Sequence, residues 1–600
     1  MVVALQPRDP VLTDAPHVDE GVGAARAGLR PRPRPGARRG LRRLPALILL
    51  APMGLWLALG FAAPMLTVAL LSLQSETGIF APISLVPSAA QFVTVLTDPY
   101  YLDILAKTLW TGLATAGLSA LLGLPLALWL AALPARWQPL GVALVLIPLL
   151  TNVVVRSIGL ILFMASNGPL ATLTGIDILF TRAAVIVALT QVFMPFLIMA
   201  LFDALSTRDP RLDEAGASLG ATPTDRFWHI TLPMALPALR AGVTIVFLLS
   251  STAYVSATLI GGGKVWVIGR LVYEEALLIQ NYPLASALAL VLLVACLLVT
   301  WAINAGVARL TPWLQPAERR RPAPSFALPG GLRRALDAVA PLVRRVLIAL
   351  CLLLLVGPLV FVALNSVNDV PQATAAAWQG FTLKWYADVF SEGSDYIDAA
   401  LLSAQLAGVA ALVSVAIALP AAFALVRHRS RLTATAGAVY LLPLALPGIA
   451  LALGVLRLLQ WFYAIPPFLG LVVVHVVMVA PFTLVMLRAA VEALDRRLEE
   501  AAASLGADPV RRFLLVVVPA LAPALFASGV IAFLVSFGEV TVTAFLTTAR
   551  MLTLPVRIYA DVQFDVEPTV NVISVLTIVV TVGALAAVNR IVGLDQVWRR

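Results

Sequence analysis

Charged residues are scarce in this 600-residue sequence. Asp, Glu, Lys and Arg make up 12% of the residues, whereas hydrophobic residues make up 60% and the mean hydropathy is +0.94. Soluble domains usually carry about 25% charged residues. The chain has too few charges to cover several water-facing domains, so its composition excludes an ordinary soluble protein and indicates a protein that lies in lipid.

Lysine and cysteine are also scarce. The three lysines are Lys107, Lys264 and Lys384, and none stands in the G-x-x-x-x-G-K-[ST] pattern that places a lysine on nucleotide phosphates. The chain therefore has no P-loop. Both cysteines, Cys296 and Cys351, lie in apolar runs, which indicates buried side chains and not a disulfide or a metal pair. We expect no cofactor, no metal site and no catalytic residue.

Long apolar runs are what the sequence has in abundance. A helix needs about 20 apolar residues to cross a hydrocarbon core of about 30 Å. Twelve runs reach this length, among them 45–73, 139–166, 435–459 and 520–547. Several contain proline, which we expect to bend the helix without ending it, because neighbouring helices accommodate the lost hydrogen bond. The sequence predicts an all-α polytopic membrane protein with about twelve spans.

The arginines indicate how the chain is oriented. Eight of them lie between residues 26 and 43, before a first run that is too long for the apolar region of a cleaved signal peptide, about 7–15 residues. Basic residues are retained on the cytoplasmic side, so twelve spans place both termini in the cytoplasm. The net charge of +10 is then explained by the orientation of the chain in the membrane, and we expect no nucleic-acid partner. Residues 1–44 are predicted to form a disordered cytoplasmic tail that lies on the lipid surface.

An internal repeat divides the chain into two halves. Residues 214–239 recur as residues 500–525 with 14 of 26 positions identical, and the shared positions include glutamate, glycine and proline. We call these the first and second duplicated segments. The repeat predicts two homologous halves of six spans each, with domains at 45–315 and 344–600 and a cytoplasmic linker at 316–343.

Each duplicated segment lies between the fourth and fifth span of its half, on the cytoplasmic side. A glycine and a proline interrupt each copy, Gly220 with Pro223 and Gly506 with Pro509, so each predicts two short helices that meet at an angle. An apolar stripe on the first helix suits a groove of another protein. The alternative is an amphipathic helix that lies on lipid headgroups.

The duplicated pattern resembles the cytoplasmic loop of ABC importer permeases, which reads E-A-A, three residues, G, nine residues, I-x-L-P. The matching residues are Glu214, Ala215, Gly220 and Pro233 in the first copy and Glu500, Ala501, Gly506 and Pro519 in the second. Gly216 departs from the second alanine, and Val516 and Val518 replace the isoleucine and the leucine. The resemblance implies that both segments are coupling helices that bind two copies of a cytosolic ATPase subunit.

The resemblance covers nearly all of the chain after residue 45. PLLTNVVVRSIG (148–159) and SATLIGGGKVWVIGRLV (256–272) resemble the first permease of spermidine/putrescine-type importers, and SFGEVTVTAFLT (536–547) resembles the second. The chain thus resembles a fusion of the two permeases, with a type I ABC importer fold. This implies a multi-pass protein of the bacterial inner membrane that receives a polyamine or a related small cation from an extracytoplasmic binding protein.

Charged residues inside the apolar runs are our candidates for the translocation pathway, since each costs about 2.5–3.5 kcal/mol at mid-bilayer. We select Glu539, which stands where the polyamine pattern usually carries aspartate, and Arg156. A structural carboxylate is the alternative for Glu539. Snorkelling to the outer surface is the alternative for Arg156 and Arg457. His475 is predicted to be a buried, hydrogen-bonded residue.

Two other hypotheses fit twelve spans in two halves. One is an importer of the same class for ferric iron, thiamine or another small solute, because selectivity in this class lies chiefly in the binding protein. The other is a carrier driven by an ion gradient. Substitution of Glu214 and Glu500 by alanine distinguishes the two, since it should uncouple an importer and leave gradient-driven uptake largely intact. A third class, a structural scaffold or insertase, gains nothing from duplicated docking loops.

Overall fold

The computed structural model describes residues 44–75, 86–310, 330–391, 394–428, 430–462, 465–548, 551–564 and 567–592. The predicted tail lies outside the described residues apart from Leu44, and so does the predicted linker up to residue 329. The rest of that linker is the start of a helix that continues into the second half.

The described part of the chain is almost entirely helical. The α-helices of the first half are α1 (Leu44–Leu57), α2 (Ala63–Leu71), α3 (Ala90–Thr97), α4 (Pro99–Ala131), α5 (Gln138–Leu150), α6 (Val153–Met164), α7 (Pro169–Thr174), α8 (Arg182–Ser206), α9 (Arg211–Ser218), α10 (Pro223–Arg226), α11 (Leu232–Thr252), α12 (Val255–Gly261), α13 (Ile268–Tyr273) and α14 (Tyr282–Leu310). Turns of π-helix occur at Ala58–Ala62, Phe227–Thr231 and Glu274–Leu278.

The second half repeats this order. Its α-helices are α15 (Gly330–Asn365), α16 (Lys384–Val389), α17 (Tyr396–Arg427), α18 (Arg431–Val439), α19 (Gly448–Trp461), α20 (Pro467–Ala493), α21 (Arg496–Ser504), α22 (Pro509–Arg512), α23 (Val518–Ala520), α24 (Ala522–Phe537), α25 (Thr543–Leu546), α26 (Leu554–Phe564) and α27 (Thr569–Val592). A 3₁₀ turn lies at Leu442–Ala445 and a π-helical turn at Phe513–Val517.

Ten helices of the described chain are long and apolar enough to cross a membrane. Two further pairs of helices qualify when each pair is taken as one bent span, with bends of 91° at 445–447 and 70° at 521. Counted in this way the spans number twelve, as the sequence predicts. Prolines 125, 195, 420 and 481 lie inside continuous helices, which confirms that they do not end them.

Three predicted spans are broken in the structure. The run 435–459 is divided by the bend at 445–447 into α18 and α19. The run 139–166 was predicted as one span, but it forms α5 and α6, because the Asn152 side chain accepts the N–H of Val154 at 2.7 Å and starts a new helix. The run 520–547 was predicted to be helical past Glu539, but α24 ends at Phe537. Glu539 therefore lies in a turn between α24 and α25 and not inside a span.

The core of each half is a group of three helices. α4, α8 and α11 pack together in the first half, and α17, α20 and α24 pack together in the second. Leu126, Met194 and Phe247 are fully buried in the first group. In the second, the Ser414 hydroxyl donates to that of Thr483 at 2.8 Å across α17 and α20. Close packing and interhelical hydrogen bonds of this kind hold helices together in lipid, where hydrophobic burial contributes little.

The first span of each half packs against the opposite half. In the first half this is the span Ala46–Leu71, whose final helix α2 lies against α19; in the second half α15 lies against α4 and α6. Both contacts need a glycine: a Cβ on Gly454 would lie 2.3 Å from the carbonyl oxygen of Pro64, and a Cβ on Gly159 would lie 2.2 Å from that of Pro358. The exchanged helices therefore join the two halves through matching backbone contacts.

We predict that Gly159→Ala and Gly454→Ala each destabilise the protein by about 1–3 kcal/mol, because the added methyl group must displace backbone. Gly117→Ala and Gly408→Ala are the matched controls, since both glycines lie in long helices with no atom within 4 Å of the added Cβ. The controls should be neutral or stabilising by about 0.5–1 kcal/mol. Thermal unfolding of the purified protein in detergent measures both effects, and equal midpoints for all four variants would contradict the exchanged packing.

Candidate functional site

The two duplicated segments have the same backbone geometry. Each is a short helix, α9 or α21, followed by a glycine in the left-handed region, with φ +79° at Gly220 and +83° at Gly506. The residue after each glycine donates its N–H to a carbonyl oxygen five residues earlier, at 3.0 Å in both copies. Only glycine adopts this conformation without strain. The structure confirms the predicted break and shows why both copies keep the glycine.

Ion pairs attach each segment to its own half. Arg208, at the end of the span before the first segment, pairs with Asp213 in α9 and also donates to the Thr231 hydroxyl at 2.7 Å. Burial lowers the pKa of the Arg208 guanidinium below its ordinary value. In the second half Arg427 of α17 pairs with Glu499 of α21 at 2.8 Å. Both short helices are thus held against the ends of long spans.

The outer surfaces of the two segments match as well. Leu219 and Leu505, at equivalent positions of the repeat, are each 89% exposed. The predicted coupling residues Glu214, Ala215, Glu500 and Ala501 are exposed beside them, and Pro233 and Pro519 lie at the second residue of α11 and of α23. The two segments thus expose leucine at the same place in both halves.

Glu539, a predicted pathway residue, caps the short helix α25. Its carboxylate accepts the N–H groups of Val542 and Thr543, both at 2.9 Å, and the Thr543 hydroxyl at 2.6 Å. A carboxylate at a helix amino terminus is stabilised by the unpaired N–H groups and by the helix dipole. Glu539 is only partly buried, so the turn that it closes also borders open space.

His475 connects α20 to this turn. Its Nδ1 lies 2.7 Å from the Ser536 hydroxyl, and its Nε2 lies 3.0 Å from the Thr543 hydroxyl, which is also bonded to Glu539. The predicted role as a buried, hydrogen-bonded histidine is confirmed. Within the part of the chain that the structure describes, no group of three His, Cys, Asp or Glu residues is placed to hold a metal ion.

Arg156 and Arg457 are buried in protein. Arg156 in α6 is 5% exposed and donates to the carbonyl oxygen of Val192 at 3.1 Å. Arg457 in α19 is 4% exposed, donates to Gln460 at 3.0 Å and lies 4.9 Å from the centre of the Tyr282 ring. Neither side chain reaches an exposed surface, so the snorkelling alternative is wrong for both.

A cluster of aromatic rings between the halves was missed in the sequence. Tyr254 stacks on Tyr273 at 5.1 Å in the first half, and the ring of Phe545 from the second half lies 5.3 Å from Tyr273. Tyr559 also meets Tyr254, at 6.3 Å. Tyr254 lies two residues after the end of α11, and the repeat offset of 286 residues pairs it with Val540, so the repeat gives no signal for this cluster.

A cavity of about 740 Å³ lies between the halves, where the duplicated segments begin. It is lined by the last turns of α8 and α20 and by α24, mostly with alanine, methionine and leucine. Its charged lining residues are Asp203, near the end of α8, and Asp495, the N-cap of α21. Both are acidic and exposed.

The family described as "Binding-protein-dependent transport system inner membrane component" matches residues 42–320 and again residues 414–594. The chain belongs to this family. It is a multi-pass inner-membrane component of a transport system and not an enzyme, and its helical fold consists of two permease domains. The duplicated segments, Glu539 and the core helices of both halves lie within the matched residues, except for the part of α17 before residue 414.

Individual relatives match one half each. The spermidine/putrescine transport system permease protein PotB of Escherichia coli is 32% identical over 219 residues, which are 35% of this chain and 80% of that protein. PotC of the same organism is 28% identical over 239 residues, 40% of this chain and 89% of that protein. The chain therefore corresponds to a fusion of two such permeases.

One solved structure with detectable similarity is that of a bacterial ABC transporter involved in the import of the acidic polysaccharide alginate. Its matched chain is 18% identical, with a TM-score of 0.38 over 46% of this chain and 98% of that chain.

Proposed function

We propose that this chain is a membrane subunit of an ABC importer for a polyamine such as spermidine or putrescine, or for a related small cation, and that it supplies both permease domains. The observation that carries the proposal is the pair of duplicated segments with equivalent exposed leucines on a chain that has no P-loop. Such a chain must obtain ATP hydrolysis from a partner, and it offers the same surface twice.

The matched geometry of the segments supports binding to two copies of one ATPase subunit. α9 and α21 end in the same glycine turn and expose leucine to the same extent. A single type of groove therefore accepts both helices. This assignment puts the duplicated segments and both chain termini in the cytoplasm, in agreement with the arginines between residues 26 and 43. It places the docking of an extracytoplasmic binding protein on the opposite face.

The cavity supports a cationic solute. Asp203 and Asp495 supply its charged lining groups, and none of the residues that the structure describes brings a basic side chain to its lining. Carboxylates at the mouth of a low-dielectric cavity concentrate cations and repel anions. The named solutes of the PotB and PotC relatives, spermidine and putrescine, are polycations that fit this charge.

Glu539 is the residue that we place on the solute pathway. Two carboxylate oxygens offer about four acceptor positions, and the cap of α25 occupies three of them. The remaining position can accept from a primary ammonium group.

We place Arg156 in the wall of this pathway. Asn152, the N-cap of α6, lies against Gly538: a Cβ on that glycine would be 3.7 Å from the Asn152 Cα. Arg156 follows one turn later in α6 and is bonded to the Val192 carbonyl of α8. It therefore braces the helix on which the Glu539 turn rests.

Reconstitution tests the proposed function. The chain, its ATPase subunit and its binding protein are placed in liposomes, and ATP-dependent uptake of labelled spermidine and putrescine is measured. Uptake that requires ATP, the ATPase and the binding protein is the expected result. Uptake of ferric iron or thiamine with neither polyamine transported would overturn the solute assignment, and uptake driven by an ion gradient without the ATPase would overturn the importer.

We predict that Leu219→Asp with Leu505→Asp abolishes co-purification of the ATPase subunit. Each aspartate places a charge where an apolar side chain enters a groove, and each fully buried leucine contributes about 1.5–3 kcal/mol. The control is Phe381→Asp. Phe381 is an apolar side chain, 69% exposed, that follows the carboxyl end of α15 and lies outside both duplicated segments. Normal co-purification with the double variant would rule out the duplicated segments as the docking surface.

We predict that Glu539→Gln lowers polyamine uptake by about tenfold or more, since a hydrogen bond to a charged group contributes about 1.5–3 kcal/mol. Thr543→Val is the control, because it keeps the carboxylate but removes the 2.6 Å hydroxyl bond of the same cap, together with the contact of that hydroxyl with His475. Initial uptake rates and thermal midpoints are measured for both. Equal losses of uptake in the two variants would mean that Glu539 acts only as a cap.

A further inference from the structure

The two duplicated segments differ in how their second helix begins. The first N–H groups of a helix have no partner within the helix. In the second segment Asp508 is the N-cap, and its carboxylate accepts from Val510 and Arg511, both at 2.9 Å. The second segment thus satisfies its own helix start.

In the first segment a threonine stands at the position of that aspartate. The Thr222 hydroxyl accepts the N–H of Asp225 at 3.3 Å, in a capping box. Pro223 has no N–H. The N–H of Thr224 is therefore the one at this helix start that still needs an acceptor. Thr224 corresponds to Val510 of the second segment.

Asp337 of the second half accepts that remaining N–H. Its carboxylate lies 3.1 Å from the Thr224 nitrogen and also accepts from the Thr224 hydroxyl. Asp337 belongs to α15, 113 residues further along the chain. The start of α15 thus completes the cap of a helix in the opposite half.

Burial shows the same asymmetry. Thr224 is 7% exposed, because α15 packs over α10, whereas Val510 is 65% exposed. α10 continues through the π-helical turn Phe227–Thr231 into α11, and together they form one 30-residue span, Pro223–Thr252. Asp337 therefore fixes the first turn of the span Pro223–Thr252, next to the break at Gly220.

We propose that Asp337 is a positioning residue that ties the first duplicated segment to the second half, so that movement of α15 reaches the first ATPase contact directly. The inference rests on the proposed function, since it assigns a coupling role to that segment. The first segment then has attachments to both halves, through Arg208–Asp213 and through Asp337. In a fused chain this makes the two ATPase contacts mechanically unequal.

The test uses the full chain with its ATPase and binding protein in liposomes. Asp337→Ala and Asp337→Asn should leave ATPase co-purification and basal ATP hydrolysis unchanged, and should lower solute-stimulated hydrolysis and uptake by about two- to tenfold. Thr224→Val removes the hydroxyl bond and should give a smaller loss that is not additive with Asp337→Asn. The control is Asp369→Asn, which removes a half-exposed carboxylate paired with Lys384 beyond the other end of α15.

A cysteine pair gives a second, independent measurement. Thr224→Cys with Asp337→Cys places two thiols where the native side chains touch, and the native Cys296 and Cys351 are buried. If the attachment persists through the cycle, the oxidised, cross-linked transporter should regain stimulated hydrolysis and uptake, and reduction should abolish the gain. Loss of uptake on cross-linking would show that the two sites must separate, and would overturn the proposal.

The outcomes separate the inference from the proposed function. If the native chain shows no solute-stimulated ATP hydrolysis, the proposed function fails. If the native chain is stimulated and the Asp337 variants are stimulated equally, only the inference fails. A fall in thermal midpoint with unchanged stimulation would show that Asp337 is a cap without a coupling role, which also overturns it.

Discussion

Every break in a helix of this protein must supply partners for the backbone groups that the break exposes. In lipid no water is present to satisfy them, so an uncapped helix start costs several kcal/mol. Asn152 caps α6 and Glu539 caps α25 in this way, and Asp508 caps α22 in the second duplicated segment. These three helix starts lie where a polar side chain is available, and two of them belong to parts of the chain to which we assign transport: the turn beside the pathway and a duplicated segment.

The same constraint explains why the two halves depend on each other. The exchange of α2 and α15 gives each half a helix from the other. Because Gly159 and Gly454 have no side chain, the carbonyl groups of Pro358 and Pro64 can lie directly against their backbones. Asp337 extends this exchange beyond the core to a duplicated segment. Fusion keeps the two permease halves at a ratio of one to one. It also lets one half complete the hydrogen bonding of the other.

The predictions from sequence succeeded where a local pattern has a local cause. Long apolar runs predict spans, and the Gly220 and Gly506 breaks follow from the need for a left-handed residue, whatever the rest of the fold does. They failed where a distant or side-chain interaction decides the backbone. The run 139–166 has the composition of one helix, and only the Asn152 cap divides it. Glu539 was placed in a span because its neighbours are apolar, although its own carboxylate starts the next helix.

The sequence by itself determined the membrane class, the twofold repeat, the helix breaks in the two duplicated segments and the absence of a P-loop, because composition and residue spacing encode these directly. Only the tertiary structure decided which helices cross to the opposite half, that the ring of Tyr254 meets that of Phe545 in the second half, and that Asp337 completes the cap at Thr224. These features depend on contacts between residues 100 or more positions apart, and the local pattern around each residue carries no record of its distant partner.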